Sequence, residues 1–428
     1  MHIWLEIHEG QVTRNLLENN LLNLLTDHGA TVTLITSGAR VPAYAGRYTS
    51  EHVELRDLLL LRESIGRYAN YEYALGRWLN KRGAGALRRT LWDQWGEKIA
   101  ARTNDRIEAL FTERPPDVVV SSHISQIYGR RLVAAARQRG ISTVGNLNSW
   151  DNVWKGLRTR PQTVTCWSEN NKSEIVRLEG YRPDDVIVVG APAFDPYFAP
   201  DAQWTHEQTC TTLGIVPARP YLVFATLGQF SQQIDETYPF EALLALWDAG
   251  AIPDNPLIML RLHPWTREAY FSRFLNHPAV IVSRYHGYTP GIGWSPSRDE
   301  AILAGNLMRH AAVLVSPGST MCIESAIFET PTVVPAFNIY MPEIFEAYFQ
   351  STWLEQHFAR LYNNDWVPVV KTIDDLRVAI TRAMADRSWY AAGRAAIRDE
   401  FLGPLDGKAT ARFAQVILDA AGRKATKV

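Results

Sequence analysis

The sequence predicts an α/β chain of two domains, each a parallel β-sheet covered by helices, facing one another across a cleft. Three observations lead there. Short apolar runs alternate with helical patterns along the chain, the mark of βαβ units and so of parallel sheets. The alternation comes in two series, split near Gly190 by Gly190-Ala-Pro-Ala-Phe-Asp195, where small residues, proline and a turn mark a boundary. And 428 residues are enough for two domains of ordinary size.

The elements follow in order. Ile3–Ile7 reads as a strand, His8-Glu9-Gly10-Gln11 as its outgoing loop, and Leu16, Leu17, Leu21, Leu24 and Leu25 as one face of a helix. Gly29 ends that helix, and Thr31–Ile35 is the second strand. A helical insertion near 56–114 follows, rich in Arg and aromatic residues and broken at Gly83–Gly85. Such a mix suits an anionic membrane surface or a lipid-linked ligand, or else a solvated helical layer, since acidic residues are interspersed. Val118–Val120, Ser142–Val144, Val164–Trp167 and Asp185–Val189 are the later strands of the first series. In the second series the strands are Tyr221–Ala225, Leu257–Leu262, Ala279–Val282, Ala312–Val315 and Thr332–Val334. Helices are predicted over Glu241–Trp247, Asp299–Leu307 and Asp374–Ala385, with a Gly/Pro-rich loop from His286 to Pro296 and a last amphipathic helix carrying Phe413, Val416, Ile417 and Leu418.

Composition narrows the function. Net charge is −1, which gives no basic field for nucleic acid. The three cysteines, Cys166, Cys210 and Cys322, are far apart and in no metal spacing, which fits a reducing compartment and no zinc site. The N-terminus lacks the pattern of a signal peptide and no apolar run is long enough to span a bilayer, so the expectation is a cytoplasmic protein, with room for peripheral contact with the inner membrane.

Candidate chemistry lies where strands end. In open parallel sheets ligands sit at the carboxyl edge. His8 and Glu9 follow the first strand and are candidates for a base or an acceptor contact, against the plain alternative of a solvated loop. Asn146-Leu-Asn-Ser-Trp-Asp-Asn-Val-Trp-Lys-Gly156 follows another strand and shows no regular pattern; its Trp150, Asp151, Asn152 and Lys155 are expected to face a ligand. In the second series the candidates are Gly228, His263-Pro264 and the Ser316-Pro-Gly-Ser-Thr320 turn. In that turn Gly318 lets a ligand approach, and Ser319 or Thr320 can cap the helix that follows. Free N–H groups at such a helix start suit a phosphate, and Glu324 one turn on can accept from a ribose; the bland alternative is an ordinary capped corner. His263 can donate to a phosphate oxygen. No Asp-x-Asp appears to hold a divalent metal on a diphosphate, so the expected chemistry is metal-independent. Charge for a leaving phosphate then comes from His263, the helix start and Lys408, and a base from His8, Glu9 or Asp151.

Taken in order, Gly190-Ala-Pro-Ala-Phe-Asp195, Arg261-Leu-His-Pro264, Ser316-Pro-Gly-Ser-Thr320 with Glu324, and Asp406-Gly-Lys408 resemble glycosyltransferases of the GT-B architecture, in particular those of bacterial surface polysaccharide assembly. The resemblance implies two Rossmann-like domains. Residues 1–190 would bind a glycan or lipid-linked acceptor, 191–400 would hold a nucleotide sugar as co-substrate, and 401–428 would form a helix crossing back to the first domain. The His-Pro element and the Ser/Thr turn are shared by bacterial sialyltransferases and by glycerophosphotransferases that use CDP-glycerol. That likeness puts His263, Ser319 and Thr320 on the donor phosphate and favours a CMP- or CDP-linked donor. The chain departs from these groups in two places. His8-Glu9-Gly10 stands where the sialyltransferases have two acidic residues and Gly, and Ser316-Pro-Gly stands in place of an Asp-Tyr-Ser-Ser turn. The UDP-N-acetylglucosamine 2-epimerases share the architecture but carry a Ser-Gly-Gly turn and an acidic run that this chain lacks. The expected function is a metal-independent glycosyltransferase; the alternatives are an epimerase-like isomerase and a non-catalytic glycan-binding homologue.

Overall fold

A computed structural model describes residues 1–59, 74–75, 78–79, 105–227, 235–348 and 359–422. Most of the predicted helical insertion, and Gly228, lie outside the described residues. The chain divides into two compact units. The first is Met1–Phe198 with Gly287–Arg298 and Phe401–Val428, and the second is Ala199–His286 with Asp299–Glu400.

The first unit is built on a seven-stranded sheet of β1 (His2–Glu6), β2 (Thr31–Ile35), β3 (Val53–Arg56), β4 (Val118–Ser121), β5 (Ser142–Asn146), β6 (Thr163–Cys166) and β7 (Val186–Val188). Their order is β3-β2-β1-β4-β5-β6-β7, parallel throughout. The order turns back between β1 and β4, the place where open parallel sheets hold their ligands, at the carboxyl ends of the strands. β1 is buried from Ile3 to Glu6, so both faces of the sheet are covered. Leu5, Leu16, Leu21, Phe413 and Ile417 pack one face, and Trp4, Val119, Leu132 and Phe111 the other.

The helix predicted after β1 is not continuous. A short turn at Gly10–Val12 runs into one wide turn at Thr13–Leu17, and the chain breaks at Asn20 before Leu21–Thr26. Asn20 sits in the left-handed region at φ 67°, which asparagine tolerates better than most residues. β3 was not anticipated, because Val-Glu-Leu-Arg at a sheet edge buries only Val53.

The first unit runs on to Phe198 rather than ending near Gly190. Asn19 Nδ2 donates to the Pro192 carbonyl at 2.5 Å, and Phe194 packs edge-on against Trp167. Asp195 accepts from the amides of Ala409 at 3.0 Å and Thr410 at 2.7 Å, which caps the last helix, Ala409–Gly422. That helix lies on the first unit, where Phe413, Ile417 and Leu418 are buried, each worth about 1.5–3 kcal/mol.

The loop predicted from His286 to Pro296 holds a small antiparallel hairpin, β11 (Tyr288–Thr289) and β12 (Gly293–Trp294). It packs on the first unit. The Gly10 amide donates to the Ile292 carbonyl at 2.9 Å, Ser37 Oγ donates to the Gly291 carbonyl at 2.7 Å, and Arg14 lies over the Trp294 ring. Gly10 is required here, because a Cβ would come within 2.0 Å of the Trp294 carbonyl oxygen.

In the second unit β8 (Tyr221–Ala225), β9 (Leu257–Arg261), β10 (Val280–Ser283), β13 (Val313–Val315), β14 (Thr332–Pro335) and β15 (Val369–Val370) form a parallel sheet in the order β10-β9-β8-β13-β14-β15. This repeats the Rossmann-like order of the first unit, with the reversal between β8 and β13. Helices Thr237–Asp248, Arg298–His310 and Ile373–Ala385 cover the predicted spans. Among the described residues no helix is long and apolar enough to cross a membrane.

Candidate functional site

Each unit gathers polar side chains at its own strand reversal. In the second unit the cluster is built around the end of β8. The Thr226 hydroxyl oxygen accepts from the His263 amide at 2.7 Å and lies 2.8 Å from the Thr266 hydroxyl. On the other side of β8, Ser316 Oγ donates to the Ala225 carbonyl at 3.1 Å. The turns after β9 and β13 therefore flank one strand end, as the sheet order requires.

His263 is fixed by its own turn. Pro264 has no N–H, so the next amide, Trp265 N–H, reaches back to Nδ1 at 3.2 Å. The ring proton then sits on Nε2. Burial draws the pKa of His263 down to about 4, so the ring is a neutral donor at physiological pH. Trp265 is 63% exposed, edge-on to the imidazole.

Glu236 was not anticipated from the sequence. It is buried, with its carboxyl accepting from the Leu227 amide at 2.5 Å and from Thr266 Oγ1 at 3.5 Å. Burial raises its pKa to about 7 against those hydrogen bonds, which places a titrating carboxyl beside the His263 turn.

The Ser316–Thr320 turn differs from the expected phosphate cradle. Gly318 takes φ 117°, as a glycine turn predicts. Thr320 makes no capping bond with its side chain; Ser319 Oγ accepts from the Met321 amide at 3.2 Å instead. The Cys322 amide bonds to the Ser319 carbonyl at 2.9 Å. The Cys322 thiol is buried under the turn. Desolvation raises its pKa to about 11, against the opposing pull of the Ser319 and Gly318 amides and the Ser316 hydroxyl. Several donors expected to be free are thus engaged within the turn. Glu324 is half-buried in the first turn of Met321–Ile327.

In the first unit, Glu6 at the end of β1 is fully buried, and its Oε2 accepts from Ser121 Oγ of β4 at 3.2 Å. Desolvation raises its pKa to about 8, so it is largely protonated at neutral pH. A Cβ on Gly129 would lie 2.7 Å from that same oxygen, which explains the glycine. Glu9 Oε2 accepts from His123 Nδ1 at 2.5 Å, and His123 Nε2 lies 3.1 Å from Asn152 Oδ1. His8 is buried beside Tyr128, and burial lowers its pKa to about 4.

The loop after β5 is mostly interior, against expectation. Trp150 is a core residue, 3% exposed and edge-on to Phe401, with its carbonyl taken by Asn171 Nδ2. Asn152 is buried and orients His123 instead of facing outward. Asn148 accepts from Asn15 at 3.0 Å. Asp151 is half-buried and accepts from Asn152 Nδ2 at 3.3 Å. Lys155 ends a single helical turn, Asn152–Lys155, where none was expected; its side chain lies outside the described residues. Lys408 lies in the first unit, exposed, at the turn that starts the last helix.

The first unit thus supplies Glu6 and His123 as polar groups not singled out from the sequence. Glu6 had one visible signal, a charged residue inside an otherwise apolar strand. Glu236 had none, lying in an acidic pair before an ordinary helix. Among the described residues no group of three or more His, Cys, Asp or Glu side chains is placed to hold a metal ion.

No protein-family model and no curated protein matches the chain by sequence. Solved structures match over its full length. The UDP-GlcNAc 2-epimerase of Neisseria meningitidis, bound to UDP-GlcNAc, is 11% identical, with 98% of this chain and 99% of that chain covered and a TM-score of 0.56. The wall teichoic acid polymerase TagF is 10% identical, with 98% and 89% covered and a TM-score of 0.57. The S. aureus MnaA–UDP structure is 10% identical, with 100% and 99% covered and a TM-score of 0.53. At such identities the likeness establishes the fold: two Rossmann-like domains of the GT-B type.

Proposed function

We propose that this chain is a nucleotide-sugar enzyme of the GT-B type, and that it transfers the sugar to the hydroxyl of a glycan or lipid-linked acceptor in bacterial surface polysaccharide assembly. The observation that carries the proposal is the convergence of the His263-Pro264 turn and the Ser316–Thr320 turn on one strand end, joined through Thr226 and Ala225. His263 Nε2–H is a neutral donor suited to a phosphate oxygen, and the exposed Trp265 beside it offers a face to a base or sugar. The donor role is assigned to the second unit, with His263, Pro264, Gly318, Ser319, Thr320, Glu324 and Gly228 as its candidates. The acceptor role is assigned to the first unit, where Glu9, oriented by His123, is the candidate base. Asp151 and Lys155 remain candidates for acceptor contact. The chemistry is metal-independent, and the protein works in the cytoplasm, at or near the inner membrane.

The donor panel is the test. Transfer or hydrolysis of one of the CMP-, CDP-, UDP- or GDP-sugars supports the reading, and the His263-Pro264 likeness favours a cytidine donor. A complete failure to bind nucleotides ends it. The UDP-GlcNAc 2-epimerases among the fold neighbours support a second reading, a hexosamine 2-epimerase. Formation of a second sugar nucleotide from UDP-N-acetylglucosamine alone, with no acceptor present, selects it.

A further inference from the structure

His8 was a natural candidate for a base, and its surroundings argue otherwise. Its Nδ1 accepts from the Ser37 amide at 3.3 Å, where β2 gives way to the turn Ser37–Arg40. An imidazole that accepts at one nitrogen while neutral carries its proton on the other. Nε2 is buried, and no group of the described structure accepts from it. A buried N–H without a partner carries a desolvation penalty, and such groups are uncommon unless a ligand completes them. The side chain is 4% exposed, against the Tyr128 ring 5.7 Å away.

The charges that act on the ring are the carboxylates of Asp57 and Glu9, which favour its protonation, yet burial outweighs both. Asp57 is itself paired with Arg40, and Glu9 with His123. Glu6, the other carboxyl at this strand end, is held by Ser121. The negative charges that act on the ring disfavour an anionic ligand. A neutral hydroxyl suits the place, since its oxygen can accept from Nε2–H without bringing a negative charge.

We propose that His8 is a fixed hydrogen-bond donor, not a base, and that it receives a hydroxyl oxygen of an uncharged, hydroxyl-rich ligand at the carboxyl end of β1. This rests on the proposed function only in identifying that ligand with the sugar acceptor. The donor phosphate is excluded from this spot, and proton removal falls to another group, with Glu9 the neighbour placed for it.

The test is nitrogen NMR on protein labelled at histidine, with the His8 signals assigned by their loss in His8→Gln, or in His8→Asn should the first variant not fold. The expected result is one neutral Nε2–H tautomer from about pH 5 to about pH 8, where an ordinary histidine changes charge. Glycerol and N-acetylglucosamine are expected to move the His8 signals, and inorganic phosphate is not. A ring that titrates in that window, a proton on Nδ1, signals moved by phosphate, or signals unmoved by both polyols overturns the proposal. Nucleotide binding is scored separately in the same preparation by thermal shift with CMP and UDP. A failure there removes the transferase reading and leaves the His8 result standing.

Discussion

Glu6 is where a single side chain has the clearest measurable consequence. Its folded-state pKa of about 8 lies above the ordinary carboxyl value. Between those two values the folded state holds more protons than the unfolded state, so this group lowers stability as pH rises through the window. Glu6→Gln keeps an oxygen for Ser121 Oγ and loses the charge. The variant is therefore expected to match the wild type near pH 5 and to exceed it by a few kcal/mol, in order of magnitude, above about pH 8, as read by denaturant melts. His8 and His263 act in the opposite sense. Each has a lowered pKa of about 4, so each contributes stability that is present above the ordinary histidine value and lost as pH falls toward 4. For function, His263→Ala is expected to lower kcat/KM for the donor by about 10²-fold, the usual effect of losing one aligned donor. An unchanged value would remove His263 from the site. The sequence made His8, Glu9 and His263 visible because each follows an apolar run. It could not show that Trp150 turns inward, since whether an aromatic in a polar loop is core or surface depends on what packs over it, here Phe401.

At the scale of elements, the two joints that hold the first unit together are the most exposed to test. Asp195 caps the last helix through two backbone amides. Asp195→Ala is expected to cost about 1–2 kcal/mol in global stability, measured by urea unfolding. The hairpin at Gly287–Arg298 meets Gly10 so closely that Gly10→Ala forces one of the two to move. A cost of about 1–3 kcal/mol is expected, with faster hydrogen exchange over the hairpin and the wild-type rate elsewhere in the second half of the chain. Neither joint was legible in the sequence. The parallel strands announce themselves as local apolar runs. The hairpin strands are only two residues each, and the partners of Asp195 lie more than two hundred positions further on. The break at Asn20 was hidden for another reason: the leucine spacing stays helical on either side of one left-handed residue.

At the scale of the molecule, the repeated strand order is what makes a two-site account reasonable. The strand order of each sheet reverses once, and each reversal carries a titratable group beside a histidine: Glu9 with His123 in the first unit, Glu236 near His263 in the second. The two-domain α/β plan was readable from strand and helix alternation alone, since a parallel sheet imposes that rhythm on any sequence. The chemistry was readable only in part, because Glu6 and Glu236 owe their character to burial and no local pattern records burial of a carboxyl. A metal-independent course predicts that chelation with EDTA leaves donor turnover unchanged; loss of turnover restored by a divalent cation would contradict it.

The central claim is that the second unit holds a nucleotide at the strand ends flanked by His263 and Ser319. Its most direct test is the thermal midpoint of the wild type and of His263→Ala with CMP, CDP, UDP and GDP, because a ligand that binds only the folded state raises that midpoint. The account predicts that at least one nucleotide raises it in the wild type and that the rise shrinks in His263→Ala. No rise with any of the four, or an equal rise in both proteins, would contradict it.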